Sequence, residues 1–172
     1  PAGGDKPQRF AVRPALLTGE MEDFQLAISP LAAPEIAFDK DGEPVTLGDF
    51  RGKAILVNFW ATWCAPCLKE LPSLDALEAE LGGEDFKVVA IAADARGPEV
   101  AANYLDRLDI RNLDLFVDSR LRLTGAIGGD GVLPVSILYD ASGQEIGRMV
   151  GEADWASPEA RALISAAMKA GS

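Results

Sequence analysis

The sequence contains no histidine, and this absence excludes several common kinds of catalytic and metal site. Nucleophile systems built on a Ser-His-Asp or Cys-His arrangement cannot form. Zinc and copper sites that depend on imidazole ligands are excluded in the same way. Proton transfer in any active site must therefore use carboxylates, thiols, lysine or water.

Long apolar runs are also absent, since no stretch approaches the roughly 20 apolar residues of a membrane-spanning helix. The 172 residues carry 27 acidic and 16 basic side chains, a formal net charge of −11. This charge opposes binding to nucleic acid or anionic lipid, so we expect no nucleic-acid partner. Neither a signal peptide nor an initiating methionine is present, and we expect a processed or trimmed chain.

The chain divides into a proline-punctuated arm and a domain with regular structure. Residues 1–35 contain five prolines, which predict an extended arm or linker with a short helix around Gly19–Leu26. The alternative is a flexible tether. Residues 36–172 form the second unit. The apolar residues that could pin the arm to this domain are Phe10, Phe24, Leu26 and Ile28.

Hydrophobic patterns predict an α/β fold for residues 36–172. Continuous apolar runs predict buried strands at Ala54–Trp60 and Phe86–Ala93, and leucines spaced by three and four predict the helix Ala65–Leu81. Right-handed crossovers then give a three-layer sandwich around a central mixed sheet. The other predicted elements are a hairpin of Ile36–Phe38 and Val45–Thr46, helices Pro98–Leu108 and Ser119–Ile127, a strand Leu113–Val117, a hairpin of Val135–Tyr139 and Glu145–Val150, and a closing helix Pro158–Lys169.

The only two cysteines, Cys64 and Cys67, lie between a buried strand and a helix. Cys64 should lie in the first turn of the helix, where unpaired backbone N–H groups and the helix dipole stabilise a thiolate and lower its pKa. Cys67, one turn further in, should be less exposed. We therefore predict that Cys64 attacks a substrate disulfide and that Cys67 resolves the mixed disulfide.

Other interpretations of this cysteine pair remain open. A structural disulfide closing so short a loop would contribute only about 2 kcal/mol to stability. A closed zinc site needs four ligands and would require a partner chain. Two inert core cysteines, an acidic binding module with a permanent disulfide, and a metallochaperone that binds Cu(I) through both thiolates are further alternatives. The strand–CxxC–helix context favours redox chemistry.

The run VNFWATWCAPCLKELP, residues 57–72, resembles the membrane-anchored bacterial thioredoxin-like proteins TlpA, ResA and CcmG. It fits the pattern W-C-x-P-C-x-x-E-x-P, and the segments LGDFRGK (47–53) and GEADWAS (151–157) are also similar to TlpA. The resemblance covers about residues 35–170 and implies a thioredoxin fold. It further implies a periplasmic dithiol reductase, tethered to the inner membrane by an N-terminal helix that this sequence lacks.

The same resemblance implies partners, and we expect neither a metal nor a separate cofactor. TlpA-type members imply disulfide substrates among copper-site assembly factors and cytochrome oxidase subunits, whereas ResA and CcmG types imply apocytochrome c. A membrane-embedded thiol reductant would act upstream. The redox group is the Cys64–Cys67 disulfide itself.

Two polar residues near the cysteines are candidates for a functional role, and only Glu70 of the two can ionise. A partly buried Glu70, one turn past Cys67, would have a raised pKa and could relay protons to or from Cys67; an exposed helix carboxylate is the alternative. The resemblance assigns this position a role in tuning the thiols. Asn58 interrupts an apolar strand at a position where ordinary thioredoxins carry an aspartate, and either a structural or a functional amide fits there.

Residues on both sides of the cysteines are predicted to contact substrate. Trp63 should be exposed and line the contact surface, together with Ala65 and Pro66. The resemblance implies that Pro134 is cis and packs against the dithiol, and that Leu133 offers its backbone to an extended substrate. The local run Gly-Val-Leu-Pro-Val departs from the Gly-x-Pro-Thr that is usual in the family.

Overall fold

A computed structural model describes residues 12–29 and 31–170 of the chain. No helix among these residues is long and apolar enough to cross a membrane. The strands are β1 (Gln25–Leu26), β2 (Phe38–Lys40), β3 (Glu43–Val45), β4 (Ala54–Trp60), β5 (Phe86–Ala92), β6 (Phe116–Val117), β7 (Val135–Tyr139) and β8 (Glu145–Val150). The α-helices are α1 (Ala65–Leu81), α2 (Pro98–Arg107), α3 (Arg122–Ile127) and α4 (Pro158–Lys169).

The strands form one mixed sheet in the order β1-β8-β7-β4-β5-β6-β2-β3. β4, β5 and β6 run parallel, whereas β7 is antiparallel to β4 and β8 is antiparallel to β7. Parallel neighbours require crossover connections, and α1 and α2 provide them. The predicted α/β architecture with a mixed sheet is confirmed.

Alternating side chains of the central strand separate the core into two layers. On β4, Leu56 and Trp60 belong to the cluster that contains Leu71 of α1 and Leu163 of α4. Val57 and its neighbours at odd positions belong to the cluster on the opposite face, beside α3. Because side chains alternate along a strand, Asn58 faces the same side as Leu56, toward α1 and α4. The strand is buried along its whole length, as its apolar run predicts.

The predicted strand Leu113–Val117 is shorter in the structure and comprises only Phe116 and Val117. The segment before it is bound instead by Asp75 of α1, whose carboxylate accepts hydrogen bonds from Asn112 N–H at 2.7 Å and Leu113 N–H at 3.2 Å. Backbone donors bound to a side chain cannot pair with a neighbouring strand. The prediction was wrong for residues 113–115, and at Leu113 the reason is this carboxylate, which is distant in the sequence.

The arm is attached to the sheet, but not by the predicted helix. A single 3₁₀ turn spans Gly19–Met21, and β1 then pairs antiparallel with β8. Phe24 is buried and Leu26 packs against the core, as predicted, whereas Ile28 is 93% exposed, so its predicted role was wrong. Phe10 lies outside the described residues. A boundary at residue 35 stays a prediction.

Candidate active site

Cys64 and Cys67 form a disulfide at the start of α1, with their Cα atoms 5.3 Å apart. Cys64 is the residue before the first helical turn, and its Sγ accepts a hydrogen bond of 3.3 Å from Cys67 N–H. The same donor would stabilise a thiolate on Cys64 after reduction. Both residues are buried, and Cys64, 5% exposed, is more accessible than Cys67, which is 1% exposed.

The loop that leads into Cys64 is fixed by a carboxylate at the end of β5. Asp94 accepts hydrogen bonds from Thr62 N–H at 3.0 Å and from the Thr62 hydroxyl. The guanidinium of Arg96 donates to the same hydroxyl oxygen. Burial opposes ionisation of Asp94, but the hydrogen bonds from Thr62 and Arg96 N–H outweigh it and lower the pKa of Asp94. This ionised carboxylate holds the residue two positions before Cys64.

Glu70 lies on α1, three residues after Cys67, and is only 2% exposed. Its Oε1 accepts a hydrogen bond of 2.9 Å from Asn58 Nδ2. Its Oε2 accepts one of 2.8 Å from Ala153 N–H and one of 3.0 Å from Trp155 Nε1. Residues three apart on a helix share a face, so the carboxyl lies on the same side of α1 as the Cys67 sulfur.

The proton affinity of Glu70 reflects opposing effects. Burial is the largest and raises its pKa, while the hydrogen bonds from Ala153, Trp155 and Asn58 lower it; repulsion from Glu152 raises it slightly. The result is a pKa of about 7, against an ordinary value of 4.5. A group with this pKa can both give and take a proton near neutral pH.

Asn58 connects Glu70 to the neighbouring strand. Its Nδ2 donates to Glu70 and also to the Ser136 hydroxyl of β7, at 2.9 Å in each case. Its Oδ1 is buried and has no hydrogen-bond partner among the residues that the structure describes. With both amide hydrogens used, Asn58 binds the ionised form of Glu70. A protonated Glu70 would instead need an acceptor, and a rotation of the amide would supply Oδ1 for that purpose.

The predicted substrate-contact residues lie at the end of the sheet where the chain passes from β4 to the disulfide. Trp63 is 67% exposed, and both Ala65 and Pro66 are exposed between the cysteines. The Leu133–Pro134 peptide bond is cis. Because Val135 pairs with Phe59, this bond lies beyond the carboxyl end of β4, the end from which the chain continues to Cys64. Leu133 is half-buried, and its role in binding substrate stays a prediction.

Several residues around the site were not found from the sequence. Ser136, Trp155 and the Thr62–Asp94–Arg96 group were not predicted, although a polar Asp94 directly after a buried strand was an available signal. Trp155 was noted only within a similar segment. Among residues 12–29 and 31–170, no group of three or more Cys, Asp or Glu side chains is placed to hold a metal ion.

The mixed sheet, the CxxC disulfide at a helix start and the cis proline beyond the same sheet end define the class: thioredoxin-fold thiol–disulfide oxidoreductases. Residues 27–164 match the Redoxin family. The chain therefore belongs to the Redoxin family, and the predicted relationship to ResA-type proteins is confirmed.

Named relatives and solved structures agree with this assignment. The thiol-disulfide oxidoreductase ResA of Bacillus anthracis is 30% identical over 68% of this chain, which spans 66% of that relative's length. A thiol:disulfide interchange protein of the thioredoxin family from Chlorobium tepidum TLS superposes with a TM-score of 0.67 and 29% identity, covering 83% of this chain and 99% of that one. The exposed lipoprotein thioredoxin Etrx1 of Streptococcus pneumoniae strain TIGR4 superposes with a TM-score of 0.62 and 25% identity. The match covers 77% of this chain and 98% of that one.

Proposed function

We propose that this chain is a dithiol reductase that reduces disulfides of specific proteins outside the cytoplasm. The observation that carries the proposal is the Cys64–Cys67 disulfide beside a buried Glu70 whose pKa is about 7. A structural disulfide has no need of a titrating carboxyl one helical turn away. Perturbed titratable groups are instead common at sites where protons move during the reaction.

The proposed reaction begins with the reduced pair. The Cys64 thiolate attacks a substrate disulfide, forms a mixed disulfide and releases one substrate thiolate. Cys67 loses its proton to the Glu70 carboxylate, and its thiolate attacks Cys64 Sγ. The Cys64–Cys67 disulfide forms, the second substrate thiolate leaves, and two electrons have passed to the substrate. Protons from Glu70 and solvent complete the substrate thiols.

The proposal also specifies where the protein acts and which partner proteins it has. The Streptococcus pneumoniae neighbour is an exposed lipoprotein, and this likeness supports a position outside the cytoplasm. The position we propose is the periplasm, with an N-terminal helix as a tether to the inner membrane. The substrates we propose are copper-site assembly factors, an oxidase subunit or apocytochrome c, and a membrane-embedded thiol reductant would restore the dithiol. Exposed Trp63, Ala65 and Pro66 would form the contact surface.

A trapping experiment tests the roles of the two cysteines. Cys67→Ala leaves the attacking thiol without its resolving partner, so reaction with a disulfide-bonded peptide should stop at a mixed disulfide on Cys64. Mass spectrometry of the intact chain measures the adduct. The matched control is Cys64→Ala, in which the remaining thiol belongs to the less accessible Cys67 and should give little adduct.

Two results would contradict the proposal. An adduct on Cys64→Ala but not on Cys67→Ala would reverse the roles. If the reduced wild-type chain exchanged no disulfide yet retained one Cu(I) against a micromolar chelator, the metallochaperone alternative would be favoured.

A further inference from the structure

The arm residue Glu20 contacts the loop that holds Glu70. The Oε1 atom of Glu20 accepts a hydrogen bond of 2.7 Å from Asp154 N–H. The residues on either side of Asp154 supply two donors to Glu70 Oε2, namely Ala153 N–H at 2.8 Å and Trp155 Nε1 at 3.0 Å. One arm carboxylate therefore fixes the peptide group between both donors.

The arm is itself fixed in this position. Met21 is completely buried in the same core cluster as Trp155. Gly19 has a φ of +54°, and a Cβ there would lie 2.8 Å from the Cδ atom of Glu159 on α4. Glu20, between these two residues, is exposed. Its contact with Asp154 therefore depends on a docked arm and not on the side chain's own burial.

We propose that Glu20 is a positioning residue for Glu70: by accepting from Asp154 N–H it holds residues 153–155 so that both of their donors stay on the Glu70 carboxylate. The positioning of Glu70 does not depend on the function proposed above; only its effect on catalysis rests on that function. A displacement of the arm would change the number of donors on Glu70, and the arm would then influence the dithiol.

The charged groups around Glu70 set the sign of the expected effects. Glu152 of the loop repels its carboxylate, and Lys69 pairs with Glu152 at 3.8 Å. Cys67 adds a second titrating group when the disulfide is reduced. Asn58 and Ser136 on the strands are neutral. The negative charge of Glu20 itself would favour a protonated Glu70, whereas the donors that it positions favour an ionised one.

Three variants of the full chain separate these two effects. Glu20→Gln removes the charge but keeps an oxygen that can accept from Asp154 N–H. Glu20→Ala removes both, and Glu22→Ala removes an exposed charge one residue beyond the 3₁₀ turn. The readout is the chemical shift of the Glu70 carboxyl carbon against pH in the oxidised protein, where neither cysteine titrates.

We expect the pKa of Glu70 to stay near 7 or fall slightly in Glu20→Gln, to stay unchanged in Glu22→Ala, and to rise to roughly 8 in Glu20→Ala as donors are lost. If the pKa of Glu70 in Glu20→Ala were equal to or below its pKa in Glu20→Gln, the proposal would be overturned. The measurement uses the disulfide form and needs no activity, so it stands even if the proposed reductase function fails. A matching shift in the pH profile of disulfide exchange would connect the two.

Discussion

At Glu70, burial makes the stability of the whole chain depend on pH. The folded pKa of about 7 lies above the ordinary value of 4.5, so the folded state favours the protonated form. The stability from this group is fully present below pH 4.5 and is lost as pH rises through 7. This difference between the folded and the ordinary pKa of Glu70 corresponds to about 3 kcal/mol of unfolding free energy, because one pKa unit is worth about 1.36 kcal/mol.

Glu70→Gln should remove this pH dependence. Glutamine resembles the protonated acid: its oxygen can accept from Ala153 N–H and Trp155 Nε1 while its amide donates to a rotated Asn58. We expect the free energy of unfolding of the variant, relative to wild type, to rise by about 3 kcal/mol between about pH 4.5 and pH 8. Urea unfolding across this range measures it, and parallel curves for the two proteins would contradict the assignment.

Asn58→Asp places a second carboxyl within hydrogen-bonding distance of Glu70. Two such carboxylates cannot both ionise without a large cost, so the pair should retain one proton well above about pH 7. Carboxyl chemical shifts against pH measure this. The control is Asn103→Asp at an exposed position on α2, where the new carboxyl should titrate near its ordinary value of about 3.9. Two ordinary titrations in the Asn58→Asp variant would exclude the coupling.

At the scale of elements, attachment of the arm depends on a small residue in β8. A Cβ on Gly147 would lie 2.4 Å from the carbonyl oxygen of Gln25 and 2.5 Å from the ring of Phe24. β1 could not keep its pairing with β8 against such contacts. The glycine is required here by close approach of another strand, not by a special backbone angle.

Gly147→Ala should therefore release the arm. We expect a loss of roughly 1–3 kcal/mol of unfolding free energy and faster amide exchange at Ala27 N–H, which donates to Ile146 O. The control is Gly125→Ala in α3, where a Cβ meets nothing within 4 Å apart from its chain neighbours and the helix's own backbone, and a gain of roughly 0.5–1 kcal/mol is expected. Unchanged exchange in Gly147→Ala would show that the arm docks without this contact.

The sequence predicted an element well wherever local signals determine it. β4 and α1 have the predicted bounds. An unbroken apolar run is typical of a buried strand, and leucines spaced by three and four are typical of a helix. The helix predicted from Ser119 begins instead at Arg122, because Asp118 accepts from Arg122 N–H and Thr124 N–H. Leu121, with a φ of +55°, is the residue before the helix.

For the whole molecule, the sequence identified the reacting atoms but not their surroundings. The cysteine spacing and Glu70 are local features of one helix start. The donors to Glu70 at Ala153 and Trp155 lie 83 and 85 residues away along the chain, and no periodicity predicts such a contact. The arm carboxylate is 134 residues from Asp154, whose N–H donates to it. Only the folded chain brings these groups together.

The most direct test of the central claim is the reduction potential of the Cys64–Cys67 couple. Equilibration with dithiothreitol or glutathione buffers would measure it, with tryptophan fluorescence, to which Trp63 next to Cys64 contributes, as the readout. A reductase requires a potential near that of thioredoxin, roughly −270 mV. A value near that of DsbA, about −120 mV, would identify an oxidant and contradict the proposed direction of electron flow.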